Sequence, residues 1–208
     1  MNTLPPRTCR PALTLGLSLG LLAATAHAGV IWDESVNGDL SGDRLAPTIV
    51  TLSVGNNDLL ATSSQGDREY LTFAVPAGHL LSSVILDAYA GTDGTAFFGL
   101  QSGTTFTEPA SGTNPGNLLG YAHFGFDPSR VGVGQDLLPV AGAQFGVIGF
   151  TPPLPAGNYA VWLQQTSTTD LTSYTLDFVV TPVPEPAAVP LAAGALLLGA
   201  LTARRLRR

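Results

Sequence analysis

Three features of the sequence predict an all-β fold. Short segments of the body alternate apolar and polar residues with period two, Gly and Pro interrupt them at short intervals, and no body segment sustains an amphipathic helical period. The architecture expected is a single antiparallel β-sandwich of jelly-roll type over residues 29–182, with an N-terminal signal helix and a C-terminal transmembrane helix attached. No repeat of propeller-blade length is visible.

The first 28 residues are set apart by composition. Arg7 and Arg10 precede the continuously apolar "PALTLGLSLGLLAAT", and Ala26-His27-Ala28 supplies the small residues that signal peptidase requires before Gly29. A secretory signal peptide is expected, with Gly29 as the first mature residue. The single cysteine, Cys9, lies before the apolar run, so the exported body must be stable without disulfides.

Strands are expected along the body in "TIVTLSV" from Thr48, "EYLTFAV", "LSSVILDAY" from Leu81, "TAFFGLQ" from Thr95, "LLGYAHF" from Leu118, "QFGVIGF" from Gln144, "NYAVWLQQ" and "SYTLDFVV". In "EYLTFAV" the core face carries Leu71, Phe73 and Val75; in "SYTLDFVV" it carries Tyr174, Leu176, Phe178 and Val180. "NYAVWLQQ" is apolar on both faces, with Tyr159, Val161 and Leu163 opposed by Ala160 and Trp162, which fits either a strand covered on both sides or one exposing Trp162. Val75-Pro76-Ala77-Gly78 and Leu154-Pro155-Ala156-Gly157 read as matching reversals at one end of the sandwich. Long irregular stretches are expected at Glu34–Pro47, Thr107–Asn117 and Phe126–Gly142.

Charge excludes one class of partner. The chain has no lysine, and between Gly29 and Pro182 three arginines face fourteen acids, a net of −11 against −6 for the whole chain. A domain with no basic stripe cannot neutralise phosphates, so nucleic acid is not an expected partner. Divalent cations remain possible partners. The acids Asp33, Glu34, Asp39 and Asp43, close together in a Gly-containing loop, supply the hard oxygen donors that calcium takes, although "DLSGD" lacks the order of an EF-hand loop and Asx-turns account for the same residues. No other cofactor is expected.

No catalytic constellation is visible either. His79 and His123 have no metal-type spacing, and no G-x-S-x-G elbow exists, so the sequence does not predict an enzyme. Trp162 and Tyr159, with Tyr121 and Phe126, offer rings for sugar stacking if exposed, or for the core if buried.

The last 26 residues have a tripartite order. Pro184-Glu185-Pro186 is followed by the uncharged run 187–203 and the basic stop Arg204, Arg205, Arg207 and Arg208. As a helix the run reaches about 25 Å at 1.5 Å per residue, a little short of the ~30 Å hydrocarbon core, and the arginines hold the end in the cytoplasm. Pro182, Pro184 and Pro186 keep the spacer extended.

This tail resembles the PEP-CTERM sorting signal. The resemblance implies recognition at Pro184-Glu185-Pro186 by an exosortase and cleavage nearby. It further implies an inner-membrane-anchored precursor delivered to the surface or extracellular matrix of a Gram-negative bacterium that makes extracellular polysaccharide and biofilm. The body, through "NGDLSGD", "YLTFAVPAG" and "LPAGNYAVWLQQ", is similar to pre-peptidase C-terminal β-sandwich domains. Neither likeness is to an enzyme, so no catalytic residue transfers. The function expected is a non-enzymatic surface or matrix protein, or alternatively a carbohydrate-binding module assisted by calcium.

Overall fold

The computed structural model describes residues 29–166 and 171–184. The signal segment with Ala26 and Ala28, the residues Glu185 and Pro186, the apolar run 187–203 and the arginines 204–208 lie outside the described residues. In chain order the elements are β1 (Gly29–Asp33), α1 (Glu34–Asn37), β2 (Thr48–Ile49), β3 (Asn57–Ser63), β4 (Arg68–Val75), β5 (His79–Ala90), β6 (Ala96–Ser102), β7 (Gly120–Phe124), α2 (Leu137–Gly142), β8 (Gly157–Gln165) and β9 (Thr172–Pro182). The fold is all-β.

Two sheets form, ordered β1-β3-β9-β5 and β2-β4-β8-β6-β7. Their central pairings are antiparallel, but β1 pairs with β3, and β2 with β4, in parallel. The expectation of a wholly antiparallel domain is corrected at these two edges. A parallel pair needs a crossover rather than a hairpin. The long segment between β1 and β3 supplies one crossover, and β3 itself, lying in the other sheet, separates β2 from β4.

One core lies between the sheets. From the first sheet come Tyr174, Leu176, Phe178 and Val180 of β9, and from the second come Leu71, Phe73 and Val75 of β4 with Tyr159, Val161 and Leu163 of β8, all buried as their alternation predicts. Phe73 and Phe178 meet edge-on across the interior with ring centres 5.3 Å apart. The two Pro-Ala-Gly turns stand side by side, because Val75 at the end of β4 pairs with Gly157 at the start of β8.

A second cluster covers the outer face of the second sheet. Tyr70, Ala160 and Trp162 pack there beneath Phe106 and Leu118, which belong to the excursion between β6 and β7. Of the two readings of "NYAVWLQQ", a strand covered on both sides is therefore the one realised.

Some expected elements differ. "QFGVIGF" is not a strand: Gly146 and Gly149 take φ of 84° and 82°, which breaks the extended backbone, and Phe145 stands 97% exposed. "TIVTLSV" contributes only the two residues of β2. Within the expected loop Phe126–Gly142, Asp136 caps α2 by accepting from Leu138 N, and the helix buries Leu137, Leu138 and Ala141. Among the described residues no helix is long and apolar enough to cross a membrane.

Candidate cation site

The first strand stops at Asp33 because that residue caps α1: its Oδ1 accepts from Ser35 N (2.9 Å) and Ser35 Oγ (2.6 Å). The single turn that follows carries Glu34 to the edge of β3 just beyond the last residue paired with β1. There Glu34 Oε2 accepts from Thr62 N (2.6 Å) and Thr62 Oγ1 (2.9 Å), while Oε1 accepts from Leu40 N (3.3 Å). An edge amide left unpaired by the end of β1 is thus satisfied by a carboxylate, which fixes Glu34 in place.

Glu69 approaches the same point from the interior. It is in phase with Leu71, Phe73 and Val75, so β4 aims it between the sheets, where it is fully buried. Its Oε2 accepts from the hydroxyl of Tyr174, and its Oε1 is buried without a hydrogen-bond partner. Burial, reinforced by the charges of Glu34, Asp67 and Asp39, pushes the Glu69 carboxyl up to about 9 against the opposing pull of the Tyr174 hydrogen bond. Burial, together with the charge and hydrogen bond of Glu69, also holds the Tyr174 hydroxyl well above its ordinary value. Glu34 is raised by burial, against its bonds to Thr62, and Asp67 is raised by burial and then by Asp39.

One carboxylate oxygen from each of Glu34, Asp39 and Glu69 lies within 4.8 Å of the others. Above them a depression of ≈ 370 Å³ opens to solvent, lined by Glu34, Ser35, Asp39, Thr62 and Asp67.

Of the acids expected to gather, the structure brings Glu34 and Asp39 together and separates the other two. Asp33 serves as the helix cap, and Asp43 closes a local turn, its Oδ1 accepting from Leu45 N. Sequence reasoning missed Glu69 and Asp67. The signal for Glu69 was an acid standing in the core phase of "EYLTFAV", a position that a solvated charge does not occupy.

Of the two fates open to the aromatic rings, Tyr159 and Trp162 take the core. Tyr159 is 5% exposed, with its ring 5.9 Å from Phe73 and its hydroxyl donated to Pro155 O, and Trp162 is 6% exposed beneath Phe106. Neither can stack a sugar, because both faces of β8 are covered. Half-buried instead are Phe97 and Tyr121, stacked at 6.0 Å on the outer face of the second sheet. Next to them lies His123, which burial and then the charge of Arg130 lower. Asp58, Asp87 and Asp177 form a second group of acids, in which Asp177 accepts from Asn57 N and Asn56 Nδ2.

No protein-family model matches the chain, and no curated protein matches it. Among solved structures it is similar to the crystal structure of Aeromonas hydrophila PliG, a periplasmic lysozyme inhibitor of g-type lysozyme. The identity is 15%, the match covers 67% of this chain and 100% of that one, and the TM-score is 0.35. A likeness at that level carries no argument about the site.

Proposed function

We propose that the chain is an exported, non-enzymatic surface or extracellular-matrix protein, sorted through its C-terminal segment, cleaved there by an exosortase and associated with exopolysaccharide. The observation that carries this reading is where the last strand ends: β9 closes at Pro182, two residues before Pro184, and Val183 and Pro184 follow it outside any strand. Among the described residues the strand pairings run from Gly29 with Asn57 to His79 with Pro182. These pairings need no residue of the two segments that processing would remove. Pro184 is exposed beyond the last strand, where an enzyme can reach it. Deleting 183–208 tests the sorting claim: the truncated protein is expected to be lost from the cell surface, and normal surface display would count against it.

The domain itself reads as a jelly-roll sandwich. The orders β3-β9-β5 and β4-β8-β6-β7 support this, with an isolated bridge between Ile85 and Asp136 on the free edge of β5. Glycan binding is a second reading, favoured by the half-buried stack of Phe97 and Tyr121 rather than by Trp162 and Tyr159. Phe97→Ala with Tyr121→Ala is expected to weaken retention on a polysaccharide column, and unchanged retention would remove that version.

A further inference from the structure

We propose that Glu34, Asp39 and Glu69 bind one divalent cation of calcium type, with the buried carboxyl of Glu69 as its inner ligand and Asp67 at the rim. This goes beyond the sorting role above and does not depend on it.

Two independent observations converge on the site. The first is the acid group itself, with an oxygen from each of three carboxylates within 4.8 Å of the others. Clustered acids alone prove little, since exposed carboxylates gather on many surfaces. The second is the state of Glu69, which is 0% exposed and keeps Oε1 without any hydrogen-bond partner while Tyr174 occupies Oε2. A buried carboxylate oxygen with nothing to accept from is among the most unfavourable groups a fold can hold, unless a proton or a cation meets it. Its neighbours make a cation fit. Glu34, Asp39 and Asp67 are the charges acting on Glu69, and no cationic side chain is among the groups that perturb it.

The donor set selects the ion. All ligands are carboxylate oxygens, with no His or Cys, which favours hard cations over zinc or copper. Calcium–oxygen bonds of about 2.3–2.6 Å let two ligand oxygens stand roughly 4.6–5.2 Å apart across one ion, whereas magnesium, at about 2.1 Å, needs them near 4.2 Å. Oxygens within 4.8 Å of one another are close enough to share one calcium ion, and magnesium, which demands near-ideal octahedral geometry and gives up its waters reluctantly, is less suited to a partial cage of carboxylates. The open depression above leaves room for water to complete the shell. Glu34 is already fixed by Thr62 and Leu40, so one ligand is pre-positioned, and its hydrogen bonds leave lone pairs for the ion.

The test is a calorimetric titration of the full chain, purified in detergent and stripped with EDTA, with calcium chloride and, in a second arm, magnesium chloride. Wild-type protein is expected to bind calcium with a dissociation constant on the order of 10⁻⁴–10⁻³ M, the range of extracellular calcium modules, and magnesium more weakly. Glu69→Gln and Asp39→Asn are each expected to weaken calcium binding about tenfold or more, while Asp43→Asn and Asp87→Asn leave it unchanged. Should Glu69→Gln fail to fold, the exposed Asp39→Asn decides alone. Absence of calcium binding, unchanged affinity in a folded Glu69→Gln or Asp39→Asn, or loss of binding only in Asp87→Asn overturns the proposal.

Discussion

The hydroxyl of Tyr174 on β9 donates to Glu69 Oε2 on β4, so a polar bond ties the two sheets together through the interior, as Gln165 of β8 does with Ser63 of β3 and Thr172 of β9. Glu69 is faced by Tyr174 from β9, Glu34 from α1, Asp39 from the following loop and Asp67 from the turn before β4; only the Tyr174 donor favours its charge. The folded chain, free of cation, therefore keeps a proton on Glu69 up to about 9, whereas the unfolded chain releases it near the ordinary value of 4.5.

Stability consequently falls as pH rises through that window, because the folded state binds the extra proton. The Glu69 contribution is roughly 3 kcal/mol between its ordinary value and neutrality, at about 1.4 kcal/mol per unit. Urea unfolding in EDTA at a series of pH values is expected to show a declining slope, much flatter in Glu69→Gln. Asp58, Asp67, Asp87 and Glu34 are raised as well and slope the same way, so the difference between the two proteins isolates Glu69. Parallel slopes would contradict the assignment.

Asn57 should be a second sensitive point. It is fully buried; its Nδ2 donates to Ser53 O, Gly55 O and Phe178 O, and its Oδ1 accepts from Ser53 N and Ser53 Oγ. Asn57→Ala removes the side-chain partner of the buried Phe178 O and of the part-buried backbone groups of Ser53 and Gly55. A loss of about 2–4 kcal/mol is expected in urea unfolding, and a loss near zero would show that water replaces the side chain.

Much of this core was legible in the sequence. The strict alternation in "SYTLDFVV" and "EYLTFAV" named the inward residues because each of these strands has one face on the common core. Elsewhere local pattern was overridden. In "QFGVIGF" Phe145 and Ile148 face solvent while Val147 and Phe150 pack inward from a chain of turns, and "DLLPVAG" becomes helical because its leucines reach the core under an Asp136 cap. β1 and β3 went unrecognised; β1 is a short edge strand set by pairing with β3, a relation that no local window contains. For the site, the same limit applies. Glu34 and Asp39 are near in sequence, but Glu69 joins them only because the fold brings the start of β4 to them in space.

Close approach of backbones predicts a contrast between two glycines. A Cβ on Gly120 would stand 2.3 Å from Ala141 O, since α2 lies directly on β7. A Cβ on Gly38 meets nothing within 4 Å, although its φ of +86° disfavours other residues. Gly38→Ala is expected to cost about 1 kcal/mol and Gly120→Ala at least about 2 kcal/mol. Thermal melting of the two variants checks the order, and a Gly120→Ala protein as stable as Gly38→Ala would mean that α2 can move off the sheet.

The proposed sorting role requires that the exported protein be cleaved beyond the end of β9 at Pro182. Mass spectrometry of the C-terminus of protein recovered from the cell exterior tests this most directly. The account predicts a terminus near Pro184-Glu185-Pro186, with the apolar run and the arginines gone. Recovery of the exterior protein with Arg208 intact would contradict it.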